Sequence, residues 1–258
     1  MRFLAFSCLI SLLFAPVMSA TPEQKGLEIA KQVRDKNNGF AGEESKMKMV
    51  LITASGQQVV REMDGKVHEG GKDGDRSLME FQNPKDVKGT KMLTWSYKNK
   101  EDDQWLYIPA FRRVKRINSS SKSSSFMGSE FAFEDLGSQE IEKFNYKWLR
   151  DEKVDKRDVW VLERVSKEPS GYSKQIMYMD KQIFNPMKIE YYNQRGELLK
   201  TAEFSAYKQY TIGSKKLYRA NKIHMKNAQT KKESIFTWDN RVLGKKFPES
   251  DFSQSRLK

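Results

Sequence analysis

The spacing of apolar residues along the chain changes twice. An apolar run, Phe3 to Phe14, is broken only by Ser7, Cys8 and Ser11. At about 12 residues it falls well short of the about 20 that span a bilayer. Between Pro22 and Lys36, Leu27, Ala30 and Val33 recur at helical spacing with Ile29 beside the stripe, so a helix is predicted there. Thr21 suits its N-cap, Pro22 its first turn and Glu23 its dipole, and Asn37-Asn38-Gly39 ends it. One apolar stripe on a short helix must pack on something, and a sheet is the obvious partner.

From about Ser45 the period becomes two. Met47, Met49 and Leu51 share one face of a strand, with Lys46, Lys48, Val50 and Ile52 on the other. Further strands are predicted over Gln57 to His68, Ser77 to Gln82, Lys91 to Tyr97, Gln104 to Pro109 and Arg112 to Ile117. They resume over Phe144 to Arg150, Asp158 to Ser166, Ser173 to Asp180, Pro186 to Asn193, Leu198 to Gln209, Leu217 to Asn227 and Lys231 to Asn240. Polar turns such as Asn193-Gln194-Arg195-Gly196 separate them. No long helices alternate with strands, so the pattern is an antiparallel meander. In the middle, Ser119 to Ser125 holds six serines in seven positions and is expected to be a mobile loop. Phe126 to Leu136, apolar and acidic without a clean period, is expected to lie irregularly across the sheet.

Several strands are apolar on both faces. Trp105 and Tyr107 oppose Leu106 and Ile108, Met177 and Met179 oppose Ile176 and Tyr178, and Ile189 and Tyr191 oppose Met187 and Tyr192. A sheet with one face in water would alternate apolar with polar. Either core covers both faces, or a strongly curved sheet holds an apolar ligand on its concave side under a helical lid. Unbranched methionines serve either arrangement.

Charge and chemistry narrow the function. Forty-seven basic against 34 acidic residues give a net charge of +13, spread along the chain. Such a protein meets anionic lipid head groups, glycans or acidic proteins. The first apolar run, Pro16 and the small residues Ser19 and Ala20 read as a cleavable secretory signal over residues 1–20, leaving 21–258 as one domain outside the cytoplasm, where nucleic acid is not a partner. Cys8, the one cysteine, lies inside the signal and outside any lipobox, so the mature chain has no disulfide, thiolate ligand or lipid anchor. His68 and His224 have no companions at metal-ligand spacing, and no Gly-x-Ser-x-Gly elbow or Gly-rich phosphate loop is present. No enzyme chemistry, metal or cofactor is therefore predicted. Arg112, Arg113, Lys115 and Arg116 concentrate four cations in five positions. They read as a protected edge strand or as a docking patch for an anionic head group or acidic partner.

Trp105-Leu106-Tyr107-Ile108-Pro109, then Val114-Lys115-Arg116-Ile117, the serine run, Phe126-Met127-Gly128-Ser129-Glu130-Phe131 and Phe133-Glu134-Asp135-Leu136 form an ordered series. It resembles the outer-membrane lipoprotein-sorting protein family, relatives of the LolA and LolB carriers, with Glu130 and Phe133 as mild departures from the pattern. The resemblance implies a mainly β fold with a few helices, a half-open antiparallel β-barrel with a helical lid over an apolar cavity. It also implies a monomeric periplasmic protein of a Gram-negative bacterium that binds a lipid or acylated lipoprotein, touches membranes transiently and works with an RND/MMPL-type inner-membrane transporter. Alternation and likeness together place Met47, Met49, Trp95, Trp105 and Tyr107 at the ligand. They also place Phe126, Phe131, Phe133, Met177 and Met179 there. The alternative is a sensor or interaction module of the same fold that docks acidic partners on the basic strand.

Overall fold

The computed structural model describes residues 20–70, 74–137 and 139–258; the predicted secretory signal, save Ala20, lies outside them. Helix α1 (Pro22–Asn37) is followed by thirteen strands. These are β1 (Gly42–Ile52), β2 (Gln58–His68), β3 (Arg76–Asn83), β4 (Lys91–Trp95), β5 (Asp103–Ile108) and β6 (Arg113–Ile117). Then come β7 (Phe144–Val154), β8 (Arg157–Ser166), β9 (Tyr172–Asp180), β10 (Pro186–Asn193), β11 (Leu198–Ile212), β12 (Lys215–Asn227) and β13 (Glu233–Leu243). All form one antiparallel sheet in which β1 pairs with β13, so the first and last strands meet in its middle. The edges are β6 and β7, which are consecutive in the chain. A twist of about 20° per strand curls such a sheet strongly. The edges do not pair, so the barrel stays open, and residues 118–137 and 139–143 lie across the concave side between the two edges.

The predicted two-faced strands sort into separate clusters. Concave residues Met49, Met63, Phe81, Leu162, Met225 and Phe236 belong to one large core. Behind β3–β5, Leu93 and Trp105 pack on Phe252 and Leu257, carried by the 3-10 turns Glu249–Phe252 and Gln254–Leu257. The Trp95 indole N–H donates to the Phe252 carbonyl at 2.7 Å. These turns have no hydrophobic period and no sequence signal marks them. Behind β8 and β9, Val159, Val161, Ile176 and Tyr178 form a third cluster. There the Lys188 ammonium lies 3.9 Å over the Tyr178 ring. Irregularities between Pro186 and Lys188, and between Tyr191 and Tyr192, let Met187 and Tyr192 face the same convex side.

Helix α1 begins as its sequence predicts. Thr21 Oγ1 accepts from Gln24 N–H at 3.2 Å, and Thr21 N–H donates to Gln24 Oε1 at 2.8 Å, closing a capping box. Leu27, however, is 39% exposed, while Ile29 and Ala30 are buried. The stripe is rotated because the helix lies flat on the β7 backbone through Gly26. A Cβ there would sit 2.7 Å from the Trp148 nitrogen. In a free helix Gly to Ala gains about 1 kcal/mol. Gly26→Ala is instead expected to destabilise the protein by about 1–2 kcal/mol through overpacking, measured by urea unfolding.

The serine run departs from expectation too. Ser119–Ser121 is a 3-10 turn capped by Asn118. Ser119 donates to Glu101 at 2.6 Å, Lys122 pairs with Glu101 at 3.2 Å, and the Phe133 and Glu134 N–H groups donate to the Ser124 and Lys122 carbonyls. Hydroxyls and backbone, rather than apolar burial, hold it in place.

Candidate functional site: a cavity on the concave face

Residues 118–137 and 139–143 fill only part of the concavity. Phe126 packs on Phe81 and Phe133, with ring centroids 5.9 and 5.6 Å apart, and Phe131 meets Phe236 edge-on at 5.3 Å. The Gln104 amide donates to the Phe133 carbonyl at 3.0 Å. The segment thus plugs the half of the sheet formed by β1–β5 and β13. Over β7–β12 a cavity of about 610 Å³ remains, closed at one side by Ala30 and Val33 of α1 and at another by Phe131. This is within the about 300–1,000 Å³ of small-molecule pockets.

Strand register builds the cavity floor. Leu162 pairs with Met177, Met177 with Ile189, Ile189 with Ala202 and Ala202 with Met225. One apolar row therefore crosses five strands, and Ala202, its smallest member, leaves the hollow at its middle. The next inward row, two residues along each strand, is polar. Tyr146 pairs with Arg164, Arg164 with Gln175, Gln175 with Tyr191, Tyr191 with Lys200 and Lys200 with Asn227. The members from Tyr146 to Lys200 are all buried.

The polar row ties down the crossing segment. Lys200 Nζ lies 2.7 Å from Asp135, and each of these side chains is 5% exposed. Lys200 also donates to the Glu130 carbonyl at 2.8 Å. Tyr172 donates its hydroxyl to Asp135 at 2.9 Å, and Ala132 N–H donates to the same carboxylate at 2.7 Å. Burial, with the Asp135 charge beside it, pushes the Tyr172 phenol well up; burial likewise raises Tyr191. Glu134, raised mainly by burial, accepts from Ser170 at 2.6 Å and from Gly171 N–H at 3.0 Å. At the far end Arg219 donates to Asn37 Oδ1 at 2.9 Å and to the Asn37 carbonyl at 3.0 Å, fixing the C-terminus of α1.

Asp75 also lines the cavity, and burial raises its carboxyl to about 6. The folded state therefore binds this proton more tightly than the unfolded chain does. The stability it contributes is present below the ordinary carboxylate range and is lost as pH rises through about 6. Urea unfolding is expected to show a fall on the order of 2 kcal/mol from pH 4.5 to 7.5, and Asp75→Asn is expected to flatten it.

Of the sequence-predicted ligand residues, Phe131, Met177 and Met179 line the cavity. Phe126 and Phe133 belong to the plug, and Met47 and Met49 lie in the same concave core without lining the cavity. Trp95, Trp105 and Tyr107 are on the opposite face of β4 and β5, in the cluster under the C-terminal turns. That face is covered by the chain itself, so these three do not join the others. Arg112, Arg113, Lys115 and Arg116 are exposed at edge strand β6, and Arg116 pairs with Asp103. Sequence reasoning missed the polar row. Its signal was a polar residue in phase with an inward apolar one: Arg164 with Leu162, Gln175 with Met177, and Lys200 with Ala202. His224 pairs with Glu233, and among the described residues no group of three or more His, Cys, Asp or Glu is placed to hold a metal. No helix among the described residues is long and apolar enough to cross a membrane.

Comparison with known proteins supplies the lineage. A family model described as an uncharacterized protein matches residues 73–258. No curated protein matches the chain. A crystal structure described as an outer membrane lipoprotein-sorting protein domain from Vibrio parahaemolyticus superposes with a TM-score of 0.88 at 42% identity, covering 91% of this chain and 99% of that one. A DUF1329 family protein from Desulfovibrio piger gives 0.86 at 28% identity, covering 93% and 100%. A LolA superfamily protein from Nitrosomonas europaea gives 0.70 at 19% identity, covering 92% and 100%, a likeness of fold. With its open, curved antiparallel sheet and a sequence aligned almost end to end with the Vibrio domain, the chain belongs to the outer-membrane lipoprotein-sorting protein family and has a LolA-like fold.

Proposed function

We propose that the protein is a periplasmic carrier that holds a lipid, or the acyl part of a lipoprotein, in the concave cavity. It would receive its cargo from an RND/MMPL-type inner-membrane transporter and deliver it toward the outer membrane. The observation that carries this reading is the apolar row from Leu162 to Met225, left open while the rest of the concave face is plugged. A rigid sheet with an unfilled apolar floor binds an acyl chain by burying it, at about 0.8 kcal/mol per methylene. Family membership supports the same reading, through what the Vibrio relative's description says of that protein. Titration of the mature protein with a fluorescent long-chain fatty acid tests it. Saturable binding of one chain per protein is expected, and no binding refutes the carrier.

A second reading rests on β6. The cations at Arg112, Arg113 and Lys115 are exposed on a free sheet edge beside Phe111, which is 70% exposed. An acidic protein or anionic surface would dock there. Arg113→Glu with Lys115→Glu is expected to weaken retention on anionic vesicles or an acidic partner at least about tenfold while fatty-acid binding persists. Unchanged retention would remove β6 from the docking surface.

A further inference from the structure

Among the described residues five cations line the cavity, and four have evident structural partners. Arg34 pairs with Glu142, Lys122 with Glu101 and Lys143 with Asp102, while Arg219 is spent on the end of α1. Arg164 is different. It is 4% exposed and sits where the polar row meets the open hollow. Its Nε donates to Gln175 Oε1 at 2.8 Å, and an Nη group donates to that same oxygen. Its charge also acts on the Tyr146 and Tyr191 phenols, and its guanidinium carbon stacks 4.2 Å from the Phe144 ring. Among the described residues no carboxylate comes within salt-bridge distance of it. The carboxylates whose charges reach this corner act on its neighbours, Glu142 and Glu140 on Tyr146, and Asp135 and Glu134 on Tyr191.

A guanidinium carries five N–H donors and is permanently charged. Gln175 and Tyr146 account for part of that fork and none of the charge. Burying such a group is costly unless an anion or water answers it. Gln175 and Phe144 also fix the plane of the fork, which prepares it for bidentate capture of a carboxylate or phosphate. The apolar row lies one inward position away on each strand. We infer that the cavity selects anionic amphiphiles, binding the carboxylate or phosphate group on Arg164 while the chain lies along Leu162, Met177, Ile189 and Ala202. This rests on the carrier reading and adds to it a head-group class and the residue that reads it.

The test compares a fluorescent long-chain fatty acid with its methyl ester, on wild-type protein and Arg164→Gln, at neutral pH. Wild type is expected to bind the acid at least about tenfold more tightly than the ester, and Arg164→Gln to lose that preference while still binding the ester. Arg164→Lys, which keeps the charge and loses the fork, is expected to fall between them and serves if the glutamine variant does not fold. Competition by lysophosphatidate and by lysophosphatidylcholine identifies the source of the anion. Displacement by lysophosphatidate alone, dependent on Arg164, assigns a phosphate head group, and displacement by neither assigns a fatty carboxylate. Equal wild-type affinity for acid and ester overturns the head-group inference and leaves the carrier standing. Failure to bind either probe overturns both.

Discussion

Replacing Asp135 with alanine is expected to lower the free energy of unfolding by about 3–5 kcal/mol. The loss comes less from the missing attraction than from what is left behind. Lys200 stays buried with its charge, keeping the Glu130 carbonyl and the faces of Tyr172 and Tyr191 but no carboxylate, and the Tyr172 hydroxyl and Ala132 N–H lose their acceptor. Each orphaned polar group costs about 1–3 kcal/mol, so the total depends on how far water reaches the site. Asp135→Ala combined with Lys200→Met removes the uncompensated charge and is expected to recover much of the stability. Urea unfolding of both variants measures this, and a loss below about 1 kcal/mol for the single variant would show that the pair does not hold the crossing segment. Because Asp135 and Glu134 fasten that segment beside the cavity, the single variant is also expected to exchange the backbone amides of residues 126–136 faster.

Ile223→Trp is expected to weaken fatty-acid binding roughly fiftyfold with little loss of stability. Ile223 lines the cavity and is half-buried, between Phe204 and Phe236 in neighbouring strands. A larger ring there projects into existing space and need not overpack the core. If it displaces about three methylenes of ligand at about 0.8 kcal/mol each, about 2.4 kcal/mol of binding is lost. Fluorescence titration reads the affinity and thermal unfolding the fold. Unchanged affinity in a folded variant would place the ligand elsewhere.

Much of the scaffold was legible because burial on a sheet imposes period two. Met177 and Met179 had to point one way and Ile176 and Tyr178 the other, and the structure separates them so. The cavity itself was less legible. Its floor depends on register between strands, and a slip of one residue in β10 would turn Ile189 away from Met177 and Ala202. Trp95, Trp105 and Tyr107 show a second limit. Both faces of β5 are apolar and both are covered, and the C-terminal turns that cover the Trp105 face carry no periodic signal. The polar row shows a third. Arg164, Gln175 and Lys200 look like ordinary outward residues one strand at a time, and become a row only when five strands are set side by side.

An acyl chain held in the open half of the concave face would travel with the protein through a gentle purification. Native mass spectrometry of the protein, purified from the periplasm without detergent, would detect it. A population heavier by a single lipid or acyl chain is expected, and it disappears in Ile223→Trp. A wild-type protein carrying no added mass, even after incubation with periplasmic and membrane lipid, would contradict it.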